Sequence, residues 1–361
     1  MLFKLKAIFL NVCLGASAAI GLLMVVVGYS DRIHPESHPT LACAGMIFPL
    51  LLAANVVALL LWVLFKWRKA WIQLAALLLA FPAIRVYLPL HLQGEPPEGS
   101  IKIISYNVAC YGVKDHCDNP VDSIRRYLEQ QDADIVCLQE DAPRRAANSI
   151  RFEELYPYND TVHVNRPGSP YINAIGVHTR YPILRKERLG YDAEANGSAA
   201  FYLLIDGDTV IVVNNHLEST HLTDNDRKEY TDIIYGDVDR RSASAGTRKL
   251  LGKVSAAMVK RSHQAELVHD YIVSHSQYPL IVCGDFNDTP ISYVRRTVAK
   301  GLVDCYVESG CGLGFSYNRK GFFFRIDQLM CSHHFKPYNT YVDSHVAASD
   351  HYPVVGWLKR Q

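Results

Sequence analysis

Apolar residues are arranged in two different ways along this 361-residue chain. Up to about residue 91 they form long runs, roughly 7–29, 42–65 and 70–91, each close to the ~20 residues that cross the hydrocarbon of a bilayer. From Ile101 onward they come as short runs of strand length, IKII, DIVC, VIVV, PLIVC and FFF, with a polar cluster after each. A sixth cluster, in AASDHYPVVGW, lies just before such a run. The expected organisation is three transmembrane helices in 1–91, a linker LQGEPPEGS at 92–100, and one soluble domain over 101–361, long enough to bury a large core.

The third apolar stretch is interrupted by Pro82 and Arg85, the latter near its end, where a long cationic side chain can snorkel to the headgroups. A signal peptide is the rival reading of the first stretch, since Lys4 and Lys6 precede it. Its length and the two stretches that follow favour an anchor. Lys4 and Lys6 flank the first span, and Lys66, Arg68 and Lys69 fill the link between the second and third. DRIHPESHPT, between the first and second, holds one arginine against two acids. The positive-inside rule then expects an integral protein of the inner or plasma membrane with a cytoplasmic N-terminus and, after three spans, an extracytoplasmic domain.

The polar clusters read Ser105-Tyr106-Asn107, Leu138-Gln139-Glu140, Asn215-His216-Leu217-Glu218, Gly284-Asp285-Phe286-Asn287-Asp288, Arg325-Ile326-Asp327 and Ser349-Asp350-His351. Strand ends deliver side chains to a shared crevice, so these acids, amides and histidines can converge although far apart in sequence. Their oxygens are hard ligands suited to Mg²⁺, and histidines beside carboxylates can activate water and offset charge at phosphorus. Taken singly, each has a plainer reading as turn punctuation or a helix cap. Together they point to phosphoester hydrolysis.

In these motifs and their order, the chain from about residue 100 to its last residue resembles the endonuclease/exonuclease/phosphatase superfamily, which includes nucleases, inositol-polyphosphate phosphatases and neutral sphingomyelinases. The resemblance implies a four-layered α/β sandwich of two packed mixed sheets flanked by helices. It implies that Asn107 and Glu140 hold the metal, with Asp350 in or near the same shell. Mg²⁺ is the expected ion and Mn²⁺ its substitute. His351 would face the scissile phosphate with Asp327 orienting its ring, and Asp285 would position or deprotonate the attacking water. Asn287 and His216 would donate to phosphate oxygens, and Asn173, in INAIGVHTRYPI, is a further phosphate contact of lower rank.

Composition refines the picture. A formal net charge of +1 argues against a nucleic-acid scaffold, because duplex binding normally shows a basic excess. The nine cysteines show no zinc spacing; Cys110 with Cys117 and Cys305 with Cys311 are loop pairs open to disulfide formation in an exported domain. His163, His178, His221, His263, His269, His275, His333, His334 and His345 lack acidic company and read as surface or packing residues. The segment between His216 and Arg261 carries Arg240, Arg241, Arg248, Lys249, Lys253, Lys260 and Arg261. It reads as a solvated helical excursion or as a flap whose cations bind phosphate or anionic headgroups. Arg261 and Gln264 fall in the helix expected before GDFND. The expected partners are membrane lipids and a lipid or small phosphoester substrate. Nucleic acid is the less favoured alternative, no protein partner is expected, and the non-enzymatic alternative is a phospholigand-binding module.

Overall fold

The computed structural model describes residues 2–112, 117–142, 150–165, 173–191, 193, 195–319 and 322–361. The N-terminal region contains α1 (Leu2–Gly28), α2 (Pro39–Ala42), α3 (Phe48–Lys66), α4 (Trp71–Leu79) and α5 (Phe81–Tyr87). Then follow β1 (Ile101–Asn107), α6 (Pro120–Gln131), β2 (Ile135–Gln139), β3 (Tyr158–His163), β4 (Ala174–Thr179), β5 (Ile183–Arg188), β6 (Gly197–Ile205) and β7 (Asp208–His216). Two helices come next, α7 (Asp224–Tyr235) and the 35-residue α8 (Arg240–Ser274). The chain ends through β8 (Leu280–Asp285), α9 (Tyr293–Val298), β9 (Val303–Asp304), α10 (Cys305–Ser309), β10 (Tyr317–Arg319), β11 (Phe322–Phe324), β12 (Asp327–Cys331), β13 (Phe335–Val342) and β14 (Val354–Arg360).

Two six-stranded mixed sheets form, in the orders β13-β14-β1-β2-β4-β3 and β5-β6-β7-β8-β12-β9. Each has a parallel pair at its middle, β1 with β2 and β7 with β8. The sheets pack on each other through Ile103, Ile135, Val177, Phe201, Val212 and Ile281. Their outer faces are covered by helices, one by Ile124 and Leu128 of α6, the other by Ala265 and Val268 of α8 with Val294 of α9. This is the expected four-layered sandwich. Strands buried on both faces need continuous apolar runs, which is why IKII, DIVC, VIVV and LIVC show no alternation.

A polar seam crosses the dry layer between the sheets. Gln139 Nε2 donates to Asn214 Oδ1 at 2.6 Å, and Asn214 Nδ2 donates to the carbonyls of Leu138 and Gly176 at 3.0 Å each. Because a buried polar group is costly without a partner, these bonds favour one register between the two sheets beneath the strand ends.

The N-terminal helices pack among themselves through Met24, Phe48, Ala76 and Tyr87. They are also docked on the αβ domain. The turn Cys43–Ile47 lies against α8 and α9, where a Cβ on Gly45 would stand 2.0 Å from the Ile291 carbonyl, so only glycine permits this approach. Arg325 reaches back to the Val86 carbonyl, and Arg85 pairs with Glu308 at 2.6 Å. The expected third continuous span is instead two short helices, α4 and α5, meeting at Ala80 with Pro82 in the first turn of α5. Proline has no N–H to continue the preceding helix. Among the described residues, two stretches are long and apolar enough to cross a membrane, Lys4–Arg32 and Pro39–Lys69.

Candidate active site

Register assembles the deepest part of the site. His216 is the last residue of β7 and pairs with Asp285, the last of β8; Asp285 pairs in turn with Asp327, the first of β12. Asp327 therefore opens a strand instead of following the FFF run, which belongs to a separate two-stranded sheet of β10 and β11. The antiparallel β8–β12 pairing is what brings it level with Asp285. Gly284 makes the approach of β8 to β7 possible, since at φ +126° its Cβ would lie 1.9 Å from the Asn215 carbonyl. From the other sheet, Asn107 ends β1 beside Gln139 of β2, and Glu140 turns into the cleft in the left-handed region, φ +55°. Asn287 is also left-handed at φ +52°. Such backbone strain is costly for Glu and concentrates at functional sites.

Asp285 Oδ2 is a hub for three nitrogens: Asn107 Nδ2 at 3.1 Å, His351 Nε2 at 3.6 Å and His216 Nε2 at 3.7 Å. His351 Nδ1 lies 2.9 Å from Asp327 Oδ2, so the ring is gripped between two buried carboxylates. Burial disfavours the imidazolium, but Asp327 and then Asp285 outweigh it and push His351 up to about 10. His216 is the opposite case: burial dominates and lowers it, leaving a neutral ring. Asn173 Nδ2 contacts its Nδ1 at 3.3 Å, which fixes the proton on Nε2. Burial raises Asp285, with the His351 charge acting against it.

Glu140 and Asp350 form the more open part, with 29% and 14% side-chain exposure. Burial first, and then the Asp350 charge, raise Glu140. For Asp350 burial is outweighed by His351 and Arg319, which hold it below its usual value. Asn107 departs from expectation, since it presents Nδ2 to Asp285 and Glu140 while its Oδ1 accepts from the Ala109 N–H at 3.0 Å. Rotating the amide would offer the oxygen instead. The closest acid–imidazole cluster among the described residues is Asp285, Asp327 and His351, with ligand atoms within 4.8 Å of one another. In that group the His351 ring already lies between the two carboxylates. The donor set with carboxylates facing the cleft is Glu140 and Asp350, hard oxygens that repel each other and suit a divalent cation.

Asn287 Nδ2 donates to the Leu217 carbonyl at 2.9 Å, and its backbone N–H donates to Asp285 Oδ1 at 2.8 Å. All eight principal predicted residues thus meet in or line one region, and Asn173 stands behind His216, also donating to the Ala195 carbonyl at 2.7 Å. Three cleft residues went unnoticed in the sequence. Arg319 Nε donates to Asp350 at 2.8 Å, Tyr317 meets the His351 ring edge-on at 5.0 Å, and Arg227 also lines the cleft. No motif announces them; Arg319 and Tyr317 sit in a three-residue strand.

The segment after His216 is ordered as α7 and α8. Thr223 and Asp226 form a reciprocal cap at the start of α7. Its expected free cations are largely engaged. Lys249 and Lys253 hold Asp226 at 3.0 and 2.5 Å, Lys260 holds Glu218 at 2.8 Å, and Arg261 is buried, donating to the Glu218 carbonyl at 3.0 Å. Gln264 Oε1 accepts from the Glu218 N–H at 2.8 Å. The two loop disulfides are not formed: Cys117 Sγ contacts Ser123 Oγ at 3.2 Å, and Cys305 Sγ is buried 3.7 Å from Cys331 Sγ.

An acid-lined cleft of this kind, at the strand ends of a two-sheet sandwich, is the working site of a phosphoester hydrolase. Residues 104–351 match the family model described as endonuclease/exonuclease/phosphatase family, and the chain belongs to that family. Its enzymes depend on a divalent metal and hydrolyse ester bonds, and this chain is accordingly a hydrolase. Residues 8–87 match a model described as a domain of unknown function. No curated protein sequence is significantly similar to the chain. Among solved structures, humanized D. rerio TDP2 with 14 mutations superposes at TM-score 0.50 and 16% identity, over 72% of this chain and 99% of that one. D. rerio TDP2 complexed with single strand DNA product gives 0.50 and 15%, over 73% and 100%. The human Nocturnin catalytic domain with bound sulfate anion gives 0.49 and 16%, over 73% and 94%. At these identities the likeness is one of fold.

Proposed function

We propose that the chain is a membrane-anchored, Mg²⁺-dependent phosphoesterase acting on a lipid headgroup or small phosphoester. The observation that supports it is the meeting of His216, Asp285, Asp327 and His351 with Glu140 and Asp350 in one cleft, beneath which apolar helices are docked. Glu140 and Asp350 hold the metal, with Asn107 once its amide oxygen faces them; Mn²⁺ would be the natural substitute. When bound, the metal supplies positive charge to the phosphoryl oxygens. His351 offers an imidazolium to the same oxygens, and Asp327 keeps its ring aligned. Asp285 orients the attacking water and receives its proton. His216 and Asn287 donate to phosphate oxygens, with Asn173 holding His216 in the tautomer that can donate.

Two crossings by α1 and α3 and a third by the broken pair α4–α5 put the catalytic domain on the extracytoplasmic side, in line with Lys66, Arg68 and Lys69 lying inside. A C-terminal alkaline phosphatase fusion should then be active; activity only of a cytoplasmic reporter would reverse the topology.

A nuclease is the second reading, favoured by the single-stranded DNA product bound to D. rerio TDP2. The deciding experiment is Mg²⁺-dependent product release by the full-length protein from phospholipids, aryl phosphoesters, inositol phosphates and DNA, with Glu140→Ala as control. Lipid or small-ester turnover, reduced at least ~10²-fold in the variant, is the expected result. Cleavage of DNA alone would replace this reading with the nuclease.

A further inference from the structure

The cleft, of about 1180 Å³, has two unlike ends. One holds Glu140, Asp285, Asp350 and His351. The other is walled by Met46, Tyr230, Ile233, Leu250, Leu251 and Val254, an apolar surface contributed by three separate parts of the chain. Tyr230 and Ile233 come from α7, Leu250, Leu251 and Val254 from α8, and Met46 from the turn that joins the N-terminal helices. Hydrolysis of a soluble headgroup gives no reason for this wall. Met46, Tyr230, Ile233, Leu251 and Val254 are half-buried, so apolar surface continuous with the polar reaction centre stays open to water unless something covers it.

The wall is built and held in place. Met46, Leu251 and Val254 pack on a buried cluster of Ala42, Cys43 and Met258. The glycine-only contact of Gly45 with Ile291 pins the turn that carries Met46. On the other side, Asp226 and Glu229 of α7 take Lys249 and Lys253 of α8 as partners. These charges are thereby spent between the two helices, and the cleft side of α7 and α8 carries Tyr230, Ile233, Leu250, Leu251 and Val254 beside the polar Arg227, Thr247 and Arg261. Volume points the same way, since roughly 300–1,000 Å³ already accommodates a drug-sized ligand, more than a headgroup alone requires.

From the amphiphilic lining, and resting on the phosphoesterase reading above, we infer that the substrate is a phosphoester carrying a long apolar chain, which lies between Met46, α7 and α8 while its phosphate meets His351. The turn Cys43–Ile47 is then part of the substrate site and not only the end of an anchor. Acyl and prenyl chains share this chemistry, and the experiment separates them.

The test uses the full-length protein held in amphipol. kcat/KM is measured for two series of soluble phosphodiesters, diacylglycerol esters and prenyl esters of increasing chain length, against a tail-free aryl diester. Binding of hexyl- and dodecylphosphonate is measured calorimetrically in parallel. In one series kcat/KM should rise about two- to fourfold per added methylene until the wall is covered. The ratio of long-chain to tail-free ester should fall at least ~10-fold in Ile233→Ser and in Met46→Ser, and dodecylphosphonate should bind more tightly than hexylphosphonate. A flat response to chain length in both series, with the aryl diester still hydrolysed, overturns the inference and leaves the phosphoesterase reading standing. Length-dependent phosphonate binding without hydrolysis of any ester supports the chamber and overturns the phosphoesterase reading.

Discussion

The N-terminal helices and the catalytic sandwich use the same apolar residues in opposite ways. In the sandwich Val212, Ile281 and Val282 are wholly buried, whereas Leu64, Phe65 and Leu78 of the helices are 76%, 74% and 77% exposed. Each such side chain left in water forgoes about 1.5–3 kcal/mol of burial. One region finishes its own core, while the helices leave large apolar side chains uncovered. Where the two meet, contacts are specific: Gly45 against a carbonyl, Arg325 to the Val86 carbonyl, Arg85 to Glu308.

The largest effects should arise where the sandwich alone supplies the chemistry. Replacing His351 or Glu140 by alanine should lower kcat/KM at least ~10²-fold, with the thermal midpoint nearly unchanged for the more open Glu140 and lowered for His351, whose loss leaves Asp285 and Asp327 buried without their cation. Full activity in Glu140→Ala would falsify its assignment as a metal ligand. Gly284→Ala adds an atom where β8 touches β7 and should destabilise the protein by roughly 3 kcal/mol or more, read by denaturant unfolding. A neutral result there would mean that the strand pair yields more easily than its geometry implies.

Val282→Ala should cost about 2–3 kcal/mol, while Leu64→Ser should change catalytic-domain unfolding by less than ~0.5 kcal/mol and weaken partition into bilayers. Equal effects on unfolding would erase the distinction between the regions. A pH-dependent change concerns Glu218, just past the β7 end. Burial opposes its ionisation, but His221 and Lys260 prevail and bring it down to about 2 from 4.5. A carboxyl depressed in the folded state stabilises above its unfolded pKa, and that contribution disappears as pH falls from about 4.5 towards 2. Because both partners are largely exposed, roughly 1–2 kcal/mol is expected. Glu218→Gln should flatten the stability profile in that window, and parallel profiles for the two proteins would contradict the assignment.

Much of the site was legible because catalytic side chains sit next to apolar strands, and composition and order both mark such positions. Asn107, Glu140, His216 and Asp285 all stood out in this way, as did the Ser-Asp-His cluster. Arg319, Tyr317 and Arg227 did not, since a cation or phenol in a three-residue strand or on a helix has no signature until folding brings it to the cleft, Arg319 to Asp350 and Tyr317 to His351. The same limit explains the basic segment 240–261, where charge count left open a solvated helical excursion or a phosphate-binding flap. Its lysines meet Asp226 and Glu218, while its apolar residues face the cleft.

By itself, the sequence marked the long apolar runs before residue 91, the strand runs after it and the polar side chains that gather at the strand ends. These follow from local periodicity and from the chemistry of individual side chains. Tertiary structure alone decided that Asp327 opens β12 level with Asp285 and that Met46 joins α7 and α8 around the cleft. Those outcomes depend on strand register and on contacts between residues hundreds of positions apart, which no window along the chain contains.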